Sequence, residues 1–212
     1  MRRTKEEAER TRASILLSAE STFLKNGFAE TTLAQIAEGA NLTRGAVHWH
    51  FDDKAAIFSA LVFESLEGYS WRKFMLPAFV YSGENALSDI QSQLLNWLID
   101  LGNDASCRRR IALLLRARHE NALVQTIQKI EIEHNTRSAL MLQSFRRAET
   151  LGEFVPCWDG TTAFRAVTWA LKGLSTEWAL NASTELASEA RGLLVPLFQS
   201  FSGSALKVAL RE

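Results

Sequence analysis

The sequence predicts an all-α fold of about nine helices: an N-terminal helix-turn-helix unit of three helices, then a larger helical domain. Three observations carry this. Apolar residues recur at intervals of three and four along the chain, as the 3.6-residue helical period requires. Only three prolines and eleven glycines punctuate 212 residues, so regular elements can run long. No segment alternates apolar and polar residues like a half-buried strand, and no repeat or low-complexity tract interrupts the chain.

Each element has its own signal. Ile15, Ala19 and Phe23 recur every four residues with Leu16 and Leu24 beside them, so a first helix buries this stripe. Lys25-Asn26-Gly27 ends it, because Gly27 accepts the positive φ of a helix terminus. Thr32 and Gln35 have capping-box spacing, which starts a short second helix. Gly39-Ala40-Asn41 breaks it, since glycine and asparagine both tolerate a tight turn. Thr43 caps a third helix from about Arg44 to His50. A fourth starts at Asp52 or Asp53, whose charge suits a helix N-terminus, and runs to about Leu76, before Pro77. Beyond Ser82-Gly83, the residues Leu87, Ile90, Leu94, Leu98 and Leu101 form one stripe, which Gly102-Asn103-Asp104 closes. A helix from Arg108 to Ala117 follows. A long one then carries Leu123, Ile127, Ile130, Leu140 and Phe145. A loop spans Leu151 to Pro156. Two last helices run from about Thr161 to Asn181 and from Thr184 to Phe201. The division into domains falls at 1–52 and 53–212.

Composition narrows the function. Hydrophobic residues make up 47% and charged residues 23%, ordinary for a globular chain. Lys plus Arg and Asp plus Glu are 24 each, which excludes a globally basic nucleic-acid binder but not a locally basic face. The first 54 residues are balanced too. Arg2, Arg3, Lys5, Arg10, Arg12, Lys25, Arg44 and Lys54 stand against Glu6, Glu7, Glu9, Glu20, Glu30, Glu38, Asp52 and Asp53. DNA affinity rests on local cations, so the acidic side chains must face elsewhere. No signal-peptide pattern or membrane-length apolar run is present, which points to the cytoplasm and to no membrane partner. Two cysteines, Cys107 and Cys157, make no disulfide framework.

Two short helices joined by a tight turn, after an amphipathic helix, form a helix-turn-helix candidate. The second must present hydrogen-bonding groups to a major groove. Thr43 offers a hydroxyl, and Arg44 can address guanine or phosphate. Gly45 and Ala46 let the backbone approach closely. His48, Trp49 and His50 add donors and flat surfaces, and Lys54 can anchor a phosphate.

The run Thr43-Arg44-Gly45-Ala46-Val47-His48-Trp49-His50-Phe51, followed by Asp53-Lys54, resembles the signature of the TetR/AcrR family of transcriptional regulators. Gly27 to Ala37, including Thr31 and Thr32, fits the same pattern. Thr4-Lys5-Glu6-Glu7 with Thr11-Arg12 resembles the AcrR-type branch that represses multidrug efflux genes. Later patches also fit: Arg108-Arg109-Arg110, Thr150 to Phe154, and Ala170 to Leu174 with Glu177-Trp178. The chain departs where the family usually has tyrosine (His48), a basic residue (Asp52) and the turn glycine (Asn41).

The resemblance implies a DNA-binding set of Thr31, Thr32, Thr43, Arg44, Gly45, Ala46, His48, Trp49, His50 and Lys54. It also implies that the remaining helices bind a ligand and dimerise. Ala166, Ala170 and Gly173 make a small-residue stripe with Leu174 and Trp178 on an adjacent face, and Leu193, Leu197 and Phe201 continue it on the last helix. Two such helices per subunit can form a four-helix bundle. A two-fold dimer places two reading helices one DNA turn apart on a palindromic operator. Trp71, Phe74, Phe79, Trp97, Phe145 and Trp169 are candidate walls of an apolar pocket, with Asn96, His119, Glu120 and His134 as orienting polar groups. Glu64 and Glu67 can balance a cationic ligand or simply face solvent.

The expected partners are operator DNA, a small hydrophobic or amphipathic inducer and a second copy of the chain, with no cofactor. Enzyme signatures are missing: there is no phosphate loop, no nucleophile elbow and no His-Glu-x-x-His helix. His48 and His50 diverge on a helix and make no metal site. The rival readings are a helical interaction protein, a regulator of a non-efflux operon, and a thiol sensor using Cys107 beside its arginines.

Overall fold

The computed structural model describes residues 5–63 and 85–202. Among them are nine α-helices, one short 3-10 turn at Asn121–Leu123 and no strand. The helices are α1 (Lys5–Glu30), α2 (Leu33–Gly39), α3 (Arg44–His50), α4 (Lys54–Phe63), α5 (Ala86–Gly102), α6 (Ala105–Ala117), α7 (Val124–Thr150), α8 (Gly160–Leu180) and α9 (Leu186–Ser202). The sequence's fourth helix is described only as far as Phe63. The described chain forms two compact units: 5–63 with Arg109–Ile130, and 85–108 with 131–202. Packing thus groups α4 and the α6–α7 turn with the N-terminal helices, beyond the boundary at residue 52 that the sequence suggests.

In the first unit the predicted stripe is the core. Ile15, Leu16, Ala19 and Phe23 of α1 are buried with Ile36 of α2, Val47 of α3 and Ile57, Phe58 and Leu61 of α4. Phe23, Phe28 and Phe58 meet pairwise at 5.5, 5.6 and 5.5 Å between ring centroids. Each fully buried ring contributes about 1.5–3 kcal/mol of transfer free energy. Gly27 breaks α1 with φ 80° and ψ 167°, so the chain turns out of the helix yet still returns Phe28 to the core. Gly39 is fixed by packing: a Cβ there would lie 2.5 Å from Ser18 Oγ. That hydroxyl donates to Ile36 O at 2.8 Å and ties α1 to α2.

The second unit follows the same logic. Leu87, Ile90, Leu94, Leu98 and Leu101 are all buried on α5, which packs on α9. On α9 the buried residues are Leu186, Ala190, Leu194, Phe198 and Phe201. Glu153 caps α5 from a distant loop, its two carboxylate oxygens accepting from Ala86 N–H and Leu87 N–H at 2.7 and 2.8 Å. Gly152, with φ 71°, turns the chain to place it. Asp159 caps α8 by accepting from Thr162 N–H at 2.8 Å. Arg108 closes the other end of α8, donating to Asn181 O and Ala182 O. Among the described residues no helix is long and apolar enough to cross a membrane.

Candidate nucleic-acid interface

Thr32 and Gln35 form the expected capping box: Thr32 N–H donates to Gln35 Oε1 at 2.9 Å, and Gln35 N–H to Thr32 Oγ1 at 3.2 Å. These bonds satisfy donors that a helix start leaves open. The turn after α2 is held by Asn41 N–H to Glu38 O at 3.0 Å and Leu42 N–H to Ala37 O at 2.8 Å. Asn41 sits at φ 55°, the left-handed region that asparagine tolerates best after glycine. Thr43 then caps α3, its Oγ1 accepting from Ala46 N–H at 3.1 Å.

One residue anchors α3. Val47 is fully buried, and from it the helix turns Arg44, Gly45, His48 and Trp49 outward, all exposed. Positions 44 and 48, like 45 and 49, are one turn apart and share that face. Trp49 is 70% exposed, with its ring 4.6 Å from that of half-buried His50. Apart from that ring contact, an indole so exposed buries little apolar surface inside the subunit. Gly45 has no internal reason either: a Cβ there would meet only Thr43 Oγ1 at 3.9 Å, an ordinary contact. A helical glycine costs about 0.5–1 kcal/mol relative to alanine, and here the cost leaves bare backbone facing outward.

Basic side chains hold this reading unit together. The Arg12 guanidinium lies 4.2 Å from the Phe51 ring centroid and donates to His50 O at 3.3 Å, fixing the end of α3 against α1. Glu20, only 5% exposed, accepts from Arg109 Nε at 2.8 Å, so this acidic residue is neutralised inside the unit.

Two expected DNA contacts take other roles. Lys54 Nζ donates to the carbonyls of Phe28, Ala29 and Thr31 at 2.8, 2.7 and 3.1 Å, and lies over the Phe28 ring. An ammonium has three protons, so none remains for a phosphate. Thr31 is buried and donates to Gly27 O at 2.7 Å. Both clasp the α1–α2 junction. Lysine after an acidic pair reads equally well as a surface cation, so nothing in the local pattern flags this clasp.

The expected ligand residues are divided. Trp71 and Phe74 lie outside the described residues, as do Phe79, Glu64 and Glu67. His119 is exposed and Glu120 half-buried in the first unit. Asn96 is exposed and Trp97 half-buried on α5. Phe145 is fully buried among Phe164, Phe198 and Phe201, as a core residue. Of the expected dimer residues, Gly173 and Leu193 are exposed and Ala166, Ala170 and Leu197 half-buried. Leu174, Trp178 and Phe201 are interior. Trp169, read from the sequence as a pocket wall, instead points outward at 69% exposure, with the Arg165 guanidinium 6.0 Å away. Leu180 joins it on the surface. Cys107 is buried and Cys157 exposed, which puts the thiol beside the arginines out of an oxidant's reach.

A capped helix-turn-helix with an outward arginine, bare backbone and an exposed indole defines a DNA-reading protein. The family described as bacterial regulatory proteins, tetR family, matches residues 15–61. The HTH-type transcriptional repressor BepR of Brucella suis is 30% identical over 181 residues, covering 84% of this chain and 85% of its own. The chain belongs to the tetR family. TtgR, an HTH-type transcriptional regulator of Pseudomonas putida, is 58% identical over 62 residues, 29% of this chain and 30% of its own. The crystal structure of NalD, the secondary repressor of the MexAB-OprM multidrug efflux pump in Pseudomonas aeruginosa, superimposes with a TM-score of 0.71 at 29% identity. It covers 93% of this chain and 98% of NalD.

Proposed function

We propose that the chain is a homodimeric, ligand-responsive repressor of a multidrug efflux operon, working in the cytoplasm by binding rather than catalysis. Residues 1–52 read a palindromic operator, and residues 53–212 bind a small hydrophobic or amphipathic inducer and dimerise. The outward face of α3 carries this reading. Arg44, Gly45, His48 and Trp49 stand exposed on a helix whose cap, turn and anchor are all satisfied from within. BepR and NalD, both named as repressors, support the sign of regulation, and NalD supports the efflux target.

Dimerisation is supported by the surface of α8 and α9. Trp169, Leu180 and Leu193 are 69, 49 and 43% exposed, and a Cβ at Gly173 or Gly192 would meet nothing within 4 Å. Large apolar groups beside glycines on neighbouring helices suit close approach of a second copy. An inducer acts only if it binds the DNA-incompetent state more tightly.

The test is an anisotropy titration against DNA upstream of the chain's own gene and its neighbours, with wild type and Arg44→Ala. Tight binding that the variant loses, with the dimer mass unchanged, is the expected result. Unaltered affinity of Arg44→Ala for that DNA would overturn the assignment of α3 as the reading helix.

A further inference from the structure

The inward stripe of α7 changes chemistry part-way along. Residues 134, 138, 141, 145 and 148 follow the four-three-four-three spacing of one helix face. Met141, Phe145 and Ala148 are fully buried apolar residues. The first two positions, together with Arg137 beside them, are instead His134 and Ser138, all half-buried.

Ser138 is the informative member. Its Oγ is shielded from solvent and has no hydrogen-bond partner. A helical hydroxyl normally solves this by donating to the carbonyl one turn back. Thr136 and Ser144 of the same helix do so, each at 3.0 Å, to Ile132 O and Leu140 O. Ser138 lies in the same α-helix and does not. A buried polar group left unpaired costs stability unless something outside the chain supplies the partner.

The charge around it has a sign. Burial first, and then Lys172 of α8, hold the His134 imidazole below its ordinary pKa and so neutral at neutral pH. Arg137 is 18% exposed, with Nε 3.6 Å from Glu133 Oε1. Lys172, exposed on α8, adds a cation to the Arg137–Glu133 pair at this end of the helix. The local field therefore favours an anion, and the free hydroxyl can donate to it.

We propose that His134, Arg137, Ser138 and Lys172 form the polar end of the inducer site, and that this end takes an acidic amphiphile, a carboxylate or phenolate on an apolar ring or chain. The inference rests on the ligand-responsive reading above and names its ligand class.

The test is calorimetry on the full chain at neutral pH with 2-naphthoate and its neutral isostere 2-naphthamide. Naphthoate should bind about tenfold tighter than the amide, as expected for one charge-assisted contact. Ser138→Ala and Lys172→Gln should each weaken naphthoate by roughly threefold to tenfold and the amide by less. Ser138→Ala should also keep or raise the wild-type unfolding midpoint, because its hydroxyl has no partner to lose and its unpaired burial is a cost. Equal binding of acid and amide, failure of naphthoate to saturate, or naphthoate affinity unchanged in both variants would overturn the assignment. Operator release, scored in parallel, tests the other premise. Naphthoate binding without release keeps the site and removes its regulatory role. Release by neutral compounds that ignore Ser138 and Lys172 keeps the regulation and removes the site.

Discussion

Replacing Lys54 with methionine separates two roles that the sequence cannot distinguish. Methionine keeps the unbranched apolar stem and removes the ammonium. The three carbonyls it serves, at 2.7–3.1 Å, then lose their donor. The bond to Ala29 O is exposed, so water replaces the ammonium there. Those to Phe28 O and Thr31 O are partly buried. Two hydrogen bonds to a charged donor bound the loss at about 3–6 kcal/mol. Lys54 is half-buried, and the solvent it keeps lowers the expectation to roughly 2–3 kcal/mol. In a chain of this size that corresponds to a fall of roughly 4–12 °C in Tm. Thermal unfolding at fixed protein concentration measures it, since dimerisation would make Tm concentration-dependent. A phosphate contact behaves differently. Losing one per subunit would shallow the slope of log K against log salt by roughly 1.8 in a dimer, at about 0.9 per phosphate. An unchanged Tm with a slope shallower by that amount would refute the clasp and return Lys54 to the DNA interface.

Two further outcomes follow from other parts of the chain. Gly173→Glu and Trp169→Glu should halve the mass seen by sedimentation equilibrium while helix content by circular dichroism is kept, since both positions are exposed in the single subunit; an unchanged mass for both would remove the α8–α9 dimer surface. For His134 the folded pKa lies below the ordinary 6.5, so the unfolded chain binds more protons between those two values. Stability contributed by the neutral imidazole is therefore complete above pH of about 6.5 and falls as pH drops below it. His134→Gln should flatten that part of the urea-midpoint profile, and a profile identical to wild type would exclude the residue as its source.

The local architecture was legible because each signal lies within a few residues of its effect. The Thr32–Gln35 capping box, the Thr43 cap, the Asn41 turn and the Leu87-to-Leu101 stripe all appear as the spacing requires. What failed to read was direction across distance. Lys54 reaches carbonyls more than twenty residues earlier, Glu20 meets Arg109 across 89 residues, and Glu153 caps a helix 66 residues upstream. Pattern within a helix carries no information about such partners. The same limit explains Trp169 and Phe145. Both are aromatic residues on amphipathic helices, and only tertiary packing turns one to the surface and the other into a ring cluster.

These partnerships have an electrostatic consequence for DNA binding. Of the cations in the first 54 residues, Lys54 is spent on carbonyls and Arg12 is held over Phe51 with a bond to His50 O. Arg10 pairs with Glu6 at 2.7 Å, and Lys5 lies 3.9 Å from Glu9. Among the described residues Arg44 and Lys25 remain without such a bond, and Arg44 alone stands on the α3 face. Arg2 and Arg3 lie outside the described residues. If those exposed pairs hold in the complex, phosphate neutralisation is shared among about one to three cations per subunit. For a dimer this gives a log K against log salt slope of roughly −2 to −5, well short of the value near −10 known for a strongly electrostatic repressor. On the proposed reading, affinity comes mainly from contacts that release no counterions: the Thr43 hydroxyl, the bare backbone at Gly45 and the Trp49 ring. Anisotropy titrations of the operator complex over a fourfold range of salt measure the slope directly. A slope steeper than roughly −8 would mean that the paired N-terminal cations swing onto DNA and that their carboxylate partners do not hold them.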